Sequence, residues 1–490
     1  MKLEVMLDRL EYALVQGRAD LDVRALVYDS RKVSEGSLFV CMKGTSFDGH
    51  AYVPQAMAAG AAAVVIEEDV DLSFDGAGNL TVVKVNDTRH ALALLSAAWF
   101  GYPTETLKVI GITGTKGKTT TSHMVKAILE QAGHKVGLIG TNGVTIGDTH
   151  ELLSNTTPES YALQSYFAKM LKAGCDLAVI EASSQGFKMH RTDGILFEAG
   201  VFTNLEPDHI GPGEHETFEE YLSCKAQLFR QCRHGYVNLD DPHVRQITQG
   251  HTCDLKTFGF SQEADLKASN EQLTSGEGFL GISFDLSGLI TCRMELDLPG
   301  RFSIYNALSA CAVCSHFDVT AEDMHAALKD IKVKGRIEPI SGPEGSTLII
   351  DYAHNAMSLE SILKTLREYQ PGRLISLFGC GGNRSKLRRY EMGEVSGKLA
   401  DLTIITSDNP RFEEPQDIID DIKTGIGKTD GKYIEIIDRR EAIAYAADHA
   451  KAGDIILIAG KGHEDYQEIR GVKYPMDDRT MVLEAVADAR

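Results

Sequence analysis

A glycine-rich segment with two lysines is the first part of this sequence that suggests chemistry. Residues 113–120 read TGTKGKTT, between the apolar run LKVIGI and the amphipathic run TSHMVKAILEQAG. Glycines let backbone N–H groups face a phosphate, and a helix N-terminus adds a favourable dipole. In such a loop Lys118 supplies charge for the β- and γ-phosphates, and Thr119 a hydroxyl for Mg²⁺. Ile112 makes this the short GxxGK[ST] form. We predict a nucleotide site rather than a tight turn with a surface lysine.

A carboxylate and an imidazole follow two further predicted strands. Glu181 ends the run DLAVIE, and His209 lies in TNLEPDHI, just after the run EAGVFTN. Either residue alone is typical of a hydrogen-bonded structural position. Beside a phosphate loop, however, the pair predicts a Mg²⁺ site, because phosphoryl chemistry needs a cation to offset developing charge.

Three late predicted strands end in polar, glycine-rich loops. The runs RLISLFG, DLTIITS and DIILIAG lead into GCGGNRSK, SDNPRFEEP and GKGHEDYQ. Ligands of open α/β sheets bind at the carboxyl ends of the strands. The three loops therefore predict one further binding site in the last part of the chain.

The elements that must position these residues change in character along the chain. The first hundred residues contain the short β-like runs SLFVCM, AAVVIEE and TVVKV and two alanine-rich helical stretches, and Tyr102-Pro103 reads as a linker. From Leu107 strands and helices alternate, which predicts doubly wound parallel sheets in an α/β protein. Alternating hydrophobic residues over 255–300 predict added antiparallel strands.

These changes predict three domains. We place them at 1–102, 103–332 and 333–490, which agrees with a length of 490 residues at about 150 residues per domain. The second limit falls just before GRIEP and the second series of strands and helices.

Composition excludes several classes of protein. Hydrophobic residues make up 43% and charged residues 24%, which argues against a disordered or fibrous chain. A net charge of −20 disfavours nucleic acid and anionic membranes as partners. We expect no signal peptide and no membrane insertion, and the nine scattered cysteines fit a reducing cytoplasm. Cys311 and Cys314, in an apolar helical run, predict a packed helix face and no metal site.

Eleven motifs in a fixed order give a resemblance that covers essentially the whole chain. They are TGTKGKTTT, SNTTPES, EASSQGF, HRTDG, FTNLEPDH, LPGRFSIYNALSA, GRIE, DYAH, FGCGGNR, SDNPR and AGKGHED. This set resembles the Mur ligase family, and within it the UDP-N-acetylmuramoyl-tripeptide synthetases, which add the third residue of the peptidoglycan stem peptide. The resemblance implies an N-terminal domain for the UDP-muramoyl substrate, a central P-loop ATPase domain with a parallel sheet, and a C-terminal Rossmann-like domain for the amino acid.

The resemblance also implies a reaction and its cofactors, ATP and Mg²⁺. ATP would convert a substrate carboxylate into an acyl phosphate, which the incoming amine attacks to form an amide, ADP and phosphate. The implied catalytic residues are Lys118, Glu181, His209 and Lys225. The implied metal ligands are Thr119, Glu181, His209 and Lys225 as a carbamate, since carbamylation turns an ammonium into an anionic ligand.

The remaining implied contacts fall into three groups. For ATP they are Gly114, Thr115, Lys116, Gly117, Lys118, Thr119, Thr120, Asn306, Arg336 and Asp351. For the UDP-MurNAc-dipeptide they are Ser30, Thr156, Thr157, Ser183 and Arg191. For the amino acid they are Arg384, Asp408, Asn409, Arg411, Gly460 and Glu464.

The run SDNPR bears on which amino acid is added. It resembles the signature of the enzymes that add meso-diaminopimelate, in which Arg411 would pair with the distal carboxylate and Glu464 would accept from the distal ammonium. Lysine lacks that carboxylate and would leave the guanidinium unpaired. We predict diaminopimelate, with L-lysine or another diamine as the alternative. The alternative without a functional role is that Arg411 is a surface residue that faces Glu413 and Glu414.

Several positions depart from the family pattern. Lys116, Gln185, Asn383 and Ser385 replace the usual residues, DYAH is not followed by the usual threonine and proline, and the loop after His209 is two residues longer. A paralogue acting on a related UDP-sugar peptide therefore stays open. So do a P-loop NTPase or kinase without amide ligation and an inactive nucleotide-binding scaffold. We expect small-molecule substrates and a monomer.

Overall fold

The computed structural model of the protein describes residues 1–44, 47–211, 213–276 and 278–489. It divides into two compact units, Met1–Thr257 and Phe258–Arg490. Over the described residues, none of the helices combines the length and the apolar character that crossing a membrane requires. The three domain limits given above stay predictions.

The first part of unit 1 is built on a five-stranded sheet. Its elements are α1 (Leu3–Met6), β1 (Ala13–Gln16), β2 (Ala25–Val27), β3 (Ser37–Val40), α2 (Val53–Ala58), β4 (Ala63–Ile66), β5 (Thr81–Lys84) and α3 (Thr88–Trp99). The strand order is β1-β5-β4-β3-β2, parallel except for β1. Asp87 caps α3 by accepting from the N–H groups of Arg89 and His90, both at 2.8 Å. The three predicted β runs of this part are therefore strands.

The second part of unit 1 is a parallel sheet that alternates with helices. Its elements are β6 (Lys108–Thr113), α4 (Lys118–Gln131), β7 (Val136–Gly140), β8 (Gly143–Ile146), β9 (Thr149–Glu151), α5 (Ser160–Lys172), β10 (Leu177–Glu181), α6 (Ser184–Lys188), β11 (Phe197–Phe202), α7 (Phe218–Ala226), β12 (Cys232–Asn238) and α8 (Val244–Ile247). The order is β12-β11-β6-β10-β7-β8-β9, with β8 and β9 antiparallel. The central strands are fully buried and, apart from Glu181 at the end of β10, apolar, as a sheet covered by helices on both faces requires.

Antiparallel strands and two helices open unit 2, after the boundary strand β13 (Asp254–Gly259). They are β14 (Leu266–Gly276), β15 (Phe279–Gly288), β16 (Cys292–Leu296), α9 (Arg301–Cys314) and α10 (Ala321–Lys329). β15 pairs antiparallel with both β14 and β16, which confirms the prediction for this stretch. Cys311 and Cys314 are fully buried on α9, as predicted.

The rest of unit 2 is a second doubly wound sheet. Its elements are β17 (Glu338–Ser341), β18 (Thr347–Asp351), α11 (Ala356–Glu368), β19 (Leu374–Phe378), α12 (Lys386–Leu399), β20 (Leu402–Ile405), α13 (Pro415–Ile426), β21 (Tyr433–Glu435), α14 (Arg439–Asp448), β22 (Ile455–Ala459), β23 (Tyr466–Ile469), β24 (Val472–Pro475) and α15 (Asp478–Asp488). The order β17-β18-β22-β19-β20-β21 is parallel except for β17, and apolar clusters cover both faces. β23 and β24 form a separate hairpin.

Helices α12 and α13 pack through glycine. A Cβ at Gly393 would lie 2.2 Å from the carbonyl oxygen of Ile422, and one at Gly425 would lie 2.0 Å from the carbonyl oxygen of Tyr390. Both distances are too short for a carbon atom, so the two backbones touch only because these side chains are missing.

Candidate active site

The phosphate loop lies between β6 and α4, where the sequence predicts it. Gly117 has φ +85° and precedes the first helical residue, and Gly114 packs so closely that a Cβ there would lie 2.0 Å from Thr203 Oγ1. Lys118 Nζ donates to the carbonyl oxygens of Gly114 at 2.8 Å and Thr115 at 3.0 Å. The ammonium is therefore held over the loop, and Thr120 lies in the first turn of α4.

The loop after β11 braces the phosphate loop. Asn204 Oδ1 accepts from the Lys116 N–H at 2.9 Å, and Asn204 Nδ2 donates to the Lys116 carbonyl oxygen at 3.0 Å. The Lys116 ammonium lies 2.7 Å from a carboxylate oxygen of Glu206. Sequence analysis did not single out Asn204 or Glu206, although both lie in the TNLEPDH motif at a strand end.

Glu181 lies at the end of β10, next to Thr119, the second residue of α4. Its side chain is buried, and Oε2 accepts from the hydroxyls of Thr119 and Thr141, both at 3.0 Å. Oε1 accepts from the Thr141 N–H at 2.9 Å, and the Thr141 hydroxyl lies 3.1 Å from that of Thr156. This set of hydroxyl and carboxylate oxygens suits a hard cation such as Mg²⁺. Thr141 was missed, because nothing in its local sequence marks it.

Lys225 is buried beside the phosphate loop on α7. Its Nζ donates to the Gly114 carbonyl oxygen at 2.8 Å and lies 4.5 Å from the centre of the Tyr221 ring. Burial, followed by the nearby Lys118 charge, holds the pKa of Lys225 well below its usual value. The surroundings of Lys225 therefore do not fully offset the cost of burying a positively charged ammonium.

His209 sits apart from Glu181 in the described structure. It has φ +55°, its side chain is half exposed, and Nδ1 lies 3.1 Å from Glu214 Oε1. Within residues 1–211 and 213–257, no hydrogen bond or ion pair joins His209 to Glu181. Of the four predicted metal ligands, the structure brings Thr119 and Glu181 into direct contact, whereas Lys225 donates to the Gly114 carbonyl oxygen of the loop.

His215 is a buried histidine in the long loop that sequence analysis did not select. Its Nε2 lies 2.9 Å from the Ser184 hydroxyl at the start of α6. Desolvation lowers the pKa of His215. The only sequence signal was the unusual length of the loop itself.

Three of the predicted UDP-peptide contacts form one network behind Glu181. The Thr157 hydroxyl donates to the Glu181 carbonyl oxygen at 2.8 Å and lies 3.0 Å from Ser183 Oγ, and Arg191 Nη1 donates to the Thr157 carbonyl oxygen at 2.9 Å. Ser30 begins the short 3₁₀ turn Ser30–Lys32. No hydrogen bond between the described residues joins Ser30 to this network.

Unit 2 brings predicted amino-acid contacts together around Asn409. Its Nδ2 donates to Glu464 Oε2 at 2.9 Å, and its Oδ1 accepts from Lys461 Nζ at 3.1 Å and from the Glu468 N–H at 2.9 Å. Lys461 Nζ also donates to Glu464 Oε2 at 3.2 Å, and Lys461 is fully buried. Lys461 and Glu468 were not selected from the sequence, although Lys461 lies within the GKGHED motif and Glu468 in the strand that follows it.

Arg411 points into the same group of loops. Its φ is +53°, its Nη1 donates to the Gly382 carbonyl oxygen at 2.7 Å, and its Nε donates to Glu468 Oε2 at 3.2 Å. Glu413 pairs with the buried Arg389 at 2.7 Å and not with Arg411. The guanidinium is therefore a positioned group at the end of the second sheet.

The other predicted contacts for the amino acid line the ends of β19, β20 and β22. A Cβ at Gly460 would lie 2.8 Å from Asp408 Oδ2, and Asp408 Oδ1 accepts from the Asn409 N–H at 2.6 Å. Arg384 is exposed in the loop after β19 and has no hydrogen-bond or ion-pair partner among the described residues.

The last predicted ATP contacts also lie in unit 2. Asn306 is buried on α9, and the Arg336 guanidinium lies 4.7 Å from the centre of the Tyr352 ring. Asp351 accepts from the N–H groups of Ile337 at 3.0 Å and Ala353 at 2.8 Å, while burial raises its pKa. The ATP contacts implied by the resemblance are thus divided between unit 1 and unit 2.

A parallel α/β sheet, a phosphate loop at a strand end and a carboxylate against the loop threonine define a nucleotide-binding α/β protein. Three family models match the chain in order: the Mur ligase family catalytic domain at residues 22–100, the Mur ligase middle domain at 112–314, and the Mur ligase glutamate ligase domain at 335–462. The chain belongs to the Mur ligase family. The predicted family and three-domain fold class are therefore confirmed.

Curated relatives match over their whole length. A UDP-N-acetylmuramoyl-L-alanyl-D-glutamate–2,6-diaminopimelate ligase of Clostridium perfringens is 40% identical over 492 residues, 99% of each chain. The ligase of the same name from Bacillus cereus is 41% identical, over 99% of this chain and 98% of its own. A solved structure under that name, 30% identical, covers 100% of this chain and 99% of its own with a TM-score of 0.72. A Thermotoga maritima MurF ligase in complex with ADP shares the fold at 20% identity, with a TM-score of 0.60 over 95% of this chain and 98% of its own.

Proposed function

We propose that this protein is an ATP-dependent amide ligase that joins meso-diaminopimelate to UDP-N-acetylmuramoyl-L-alanyl-D-glutamate during peptidoglycan precursor synthesis. The observation that carries the proposal is the phosphate loop with Lys118 and Thr119 directly beside Glu181, in a chain about 40% identical to full-length ligases of that name. We further propose that the protein works as a monomer in the cytoplasm.

The chemical task explains why a phosphate loop belongs in an amide ligase. A carboxylate is a poor electrophile, and transfer of the γ-phosphoryl group of ATP to it creates an acyl phosphate with a good leaving group. The amine then attacks the acyl carbon, the C–O bond to phosphate breaks, and an amide, ADP and phosphate result. Lys118 and the N–H groups at the start of α4 would stabilise charge on the phosphoryl oxygens.

Thr119 and Glu181 would hold Mg²⁺, with Thr141 orienting the Glu181 carboxylate. The fit rests on their donor set, which consists of oxygens within hydrogen-bond distance of one another. When bound, the cation offsets charge on the ATP phosphates. In this proposal His209 and carbamylated Lys225 are further catalytic and metal-binding groups, and the lowered pKa of Lys225 favours the neutral amine that carbamylation requires.

The UDP-muramoyl dipeptide would be held by Ser30, Thr156, Thr157, Ser183 and Arg191. The support is the network of Thr157, Ser183 and Arg191, which is joined to the backbone carbonyl of Glu181, the last residue of β10. A substrate carboxylate bound at this network would lie close to the candidate metal ligand.

The amino acid would be held by Arg384, Asp408, Asn409, Arg411, Gly460 and Glu464, and we propose Asn306, Arg336 and Asp351 as further contacts of ATP. Asn409 and Lys461 donate to Glu464 Oε2, and the Tyr352 hydroxyl donates to Oε1 at 3.3 Å, so the carboxylate is held in place. Arg411 keeps N–H groups beyond those that Gly382 and Glu468 engage.

Product formation with separate amines tests this function. The protein would be incubated with UDP-N-acetylmuramoyl-L-alanyl-D-glutamate, ATP, Mg²⁺ and either meso-diaminopimelate, L-lysine or no amine, and phosphate and product mass would be measured. We expect phosphate release that requires both the dipeptide and diaminopimelate. Release without an amine would favour a plain NTPase, phosphotransfer to another acceptor a kinase, and better turnover of L-lysine the alternative amino acid.

Lys225 needs its own test. Intact-mass measurement under CO₂ should show one carbamyl adduct that Lys225→Ala lacks, and this variant should lose most activity. Lys126→Ala is the matched control, because Lys126 is a partly exposed lysine of α4 that pairs with Glu130. Full activity of Lys225→Ala would contradict the role of Lys225.

A further inference from the structure

Two histidines and an aspartate converge on one point in unit 1. His90 Nδ1 lies 2.6 Å and His190 Nδ1 lies 2.7 Å from the same oxygen of Asp193. The three ligand atoms lie within 4.8 Å of one another. The proposed ligase reaction uses none of these side chains.

The three residues come from two separate elements. His90 lies in the first turn of α3, which Asp87 caps, while His190 and Asp193 belong to the turn that follows α6. His190 has φ +54°, a conformation that a non-glycine residue adopts only when its surroundings hold it there. The turn thus directs an imidazole and a carboxylate at the imidazole of α3.

We propose that His90, His190 and Asp193 form a binding site for a divalent transition-metal ion of the zinc class. Imidazole nitrogens select Zn²⁺, Co²⁺ or Ni²⁺ over Mg²⁺. Tetrahedral bonds of about 2.0–2.1 Å place neighbouring ligand atoms about 3.3 Å apart, so the carboxylate would withdraw by roughly 0.6 Å from each ring. Water would fill the remaining position, since His90 is 45% exposed.

Asp87 offers His190 the carboxylate partner that a metal-bound histidine usually has on its second ring nitrogen. Asp87 Oδ2 lies 3.6 Å from His190 Nε2, the ring nitrogen that would not bind the metal. A metal-bound histidine usually donates its second N–H to a carboxylate or carbonyl, which fixes the tautomer of the ring. Asp87 Oδ1 meanwhile accepts the helix-capping hydrogen bonds at 2.8 Å, so this side chain is held in place.

The metal ion would restrict the movement of Arg89 and Arg191, whose guanidinium groups flank the Glu159 carboxylate. Glu159 Oε2 lies 3.7 Å from Arg89 Nη1 and 3.7 Å from Arg191 Nε. Arg89 precedes one proposed ligand in the sequence, and Arg191 follows another. Metal binding at the three ligands would therefore limit the movement of both guanidinium groups.

Metal titration of the untagged full chain tests the site without reference to ligase activity. Co²⁺ and Zn²⁺ would be added separately in excess Mg²⁺, which occupies oxygen-rich sites, with Co²⁺ absorption and calorimetry as the measurements. We expect about one equivalent of Co²⁺ with a tetrahedral absorption spectrum that Zn²⁺ displaces. His90→Gln and His190→Gln should each weaken binding by more than about 100-fold, and Asp87→Asn by about 10–100-fold, the usual effect of losing an outer carboxylate.

His134→Gln is the matched control. His134 Nδ1 lies 2.6 Å from an Asp176 oxygen, the same kind of pair without a second imidazole. This variant should bind like the wild type, and circular dichroism should show all variants folded. Asn is an effective helix cap, so Asp87→Asn should keep α3 intact. Wild-type affinity in either His90→Gln or His190→Gln, or no tetrahedral Co²⁺ binding in the wild type, would overturn the proposal.

Discussion

Replacing Arg411 by alanine should separate diaminopimelate from L-lysine as substrates. Arginine has five N–H donors, and the carbonyl of Gly382 and the carboxylate of Glu468 engage two of those of Arg411, so about three stay available for a ligand carboxylate. Hydrogen bonds to a charged group contribute about 1.5–3 kcal/mol each. Two of them would give about 3–6 kcal/mol, and the negative charge of Glu468 favours the lower end.

The expected loss in kcat/KM for meso-diaminopimelate is therefore on the order of 10²- to 10³-fold. For L-lysine, which has no distal carboxylate, we expect a change of less than about 5-fold. The assay is initial-rate phosphate release with saturating ATP and UDP-muramoyl dipeptide, and with each amino acid varied in turn.

Arg470→Ala is the matched control for Arg411→Ala. Arg470 belongs to the neighbouring hairpin, is 77% exposed and pairs with the exposed Glu414, so its loss should leave both rates within about 2-fold of wild type. An equal loss for both amino acids in Arg411→Ala, or none for diaminopimelate, would refute the assignment of Arg411 to the distal carboxylate.

Three further variants test the metal site and the packing of unit 2. Glu181→Gln should lower kcat by at least about 10²-fold and raise the Mg²⁺ concentration needed for half-maximal rate, because the amide cannot supply the anionic ligand; an unchanged Mg²⁺ dependence in steady-state rates would contradict this. Asp478→Asn should destabilise unit 2 by about 3–5 kcal/mol in urea unfolding, since it leaves the fully buried Arg439 guanidinium without its carboxylate; a loss below about 1 kcal/mol would count against it. Hydrogen bonds from Arg389 lower the pKa of Glu413 to about 2, so this group stabilises the fold above the ordinary pKa of glutamate and progressively less as the pH falls toward 2. Glu413→Gln should accordingly cost at most about 3 kcal/mol at pH 7 and clearly less at pH 3, and an equal cost at both values in denaturant titrations would disprove the linkage.

Much of the fold could be predicted because its strands are apolar runs with clear ends. LKVIGI, DLAVIE and DIILIAG each became a buried parallel strand, and the glycine and lysine pattern after LKVIGI marked the start of α4. The sequence could also predict that Thr119 and Glu181 lie close together, since both are found at the carboxyl ends of parallel strands of one sheet.

Other parts of the site depend on contacts between residues far apart in the sequence. Thr141 reaches Glu181 across 40 positions, and Lys461 reaches Asn409 across 52. Nothing in the local sequence of Thr141 marks such a partner, and the AGKGHED motif that contains Lys461 does not indicate which distant side chain the lysine contacts. The left-handed backbone of His209 likewise follows from its loop and not from its residue type.

The glycine contact between α12 and α13 bears on how substitutions in this protein are interpreted. Any side chain at Gly393 or Gly425 would have to push the two helices apart, so a saturation library should show both positions to be as intolerant as Lys118. Neither glycine lies at a strand end that carries the candidate site. A screen that scores loss of growth would therefore select positions needed for helix packing as well as residues that take part in the reaction. Measuring the yield of soluble protein together with turnover would distinguish the two groups of positions.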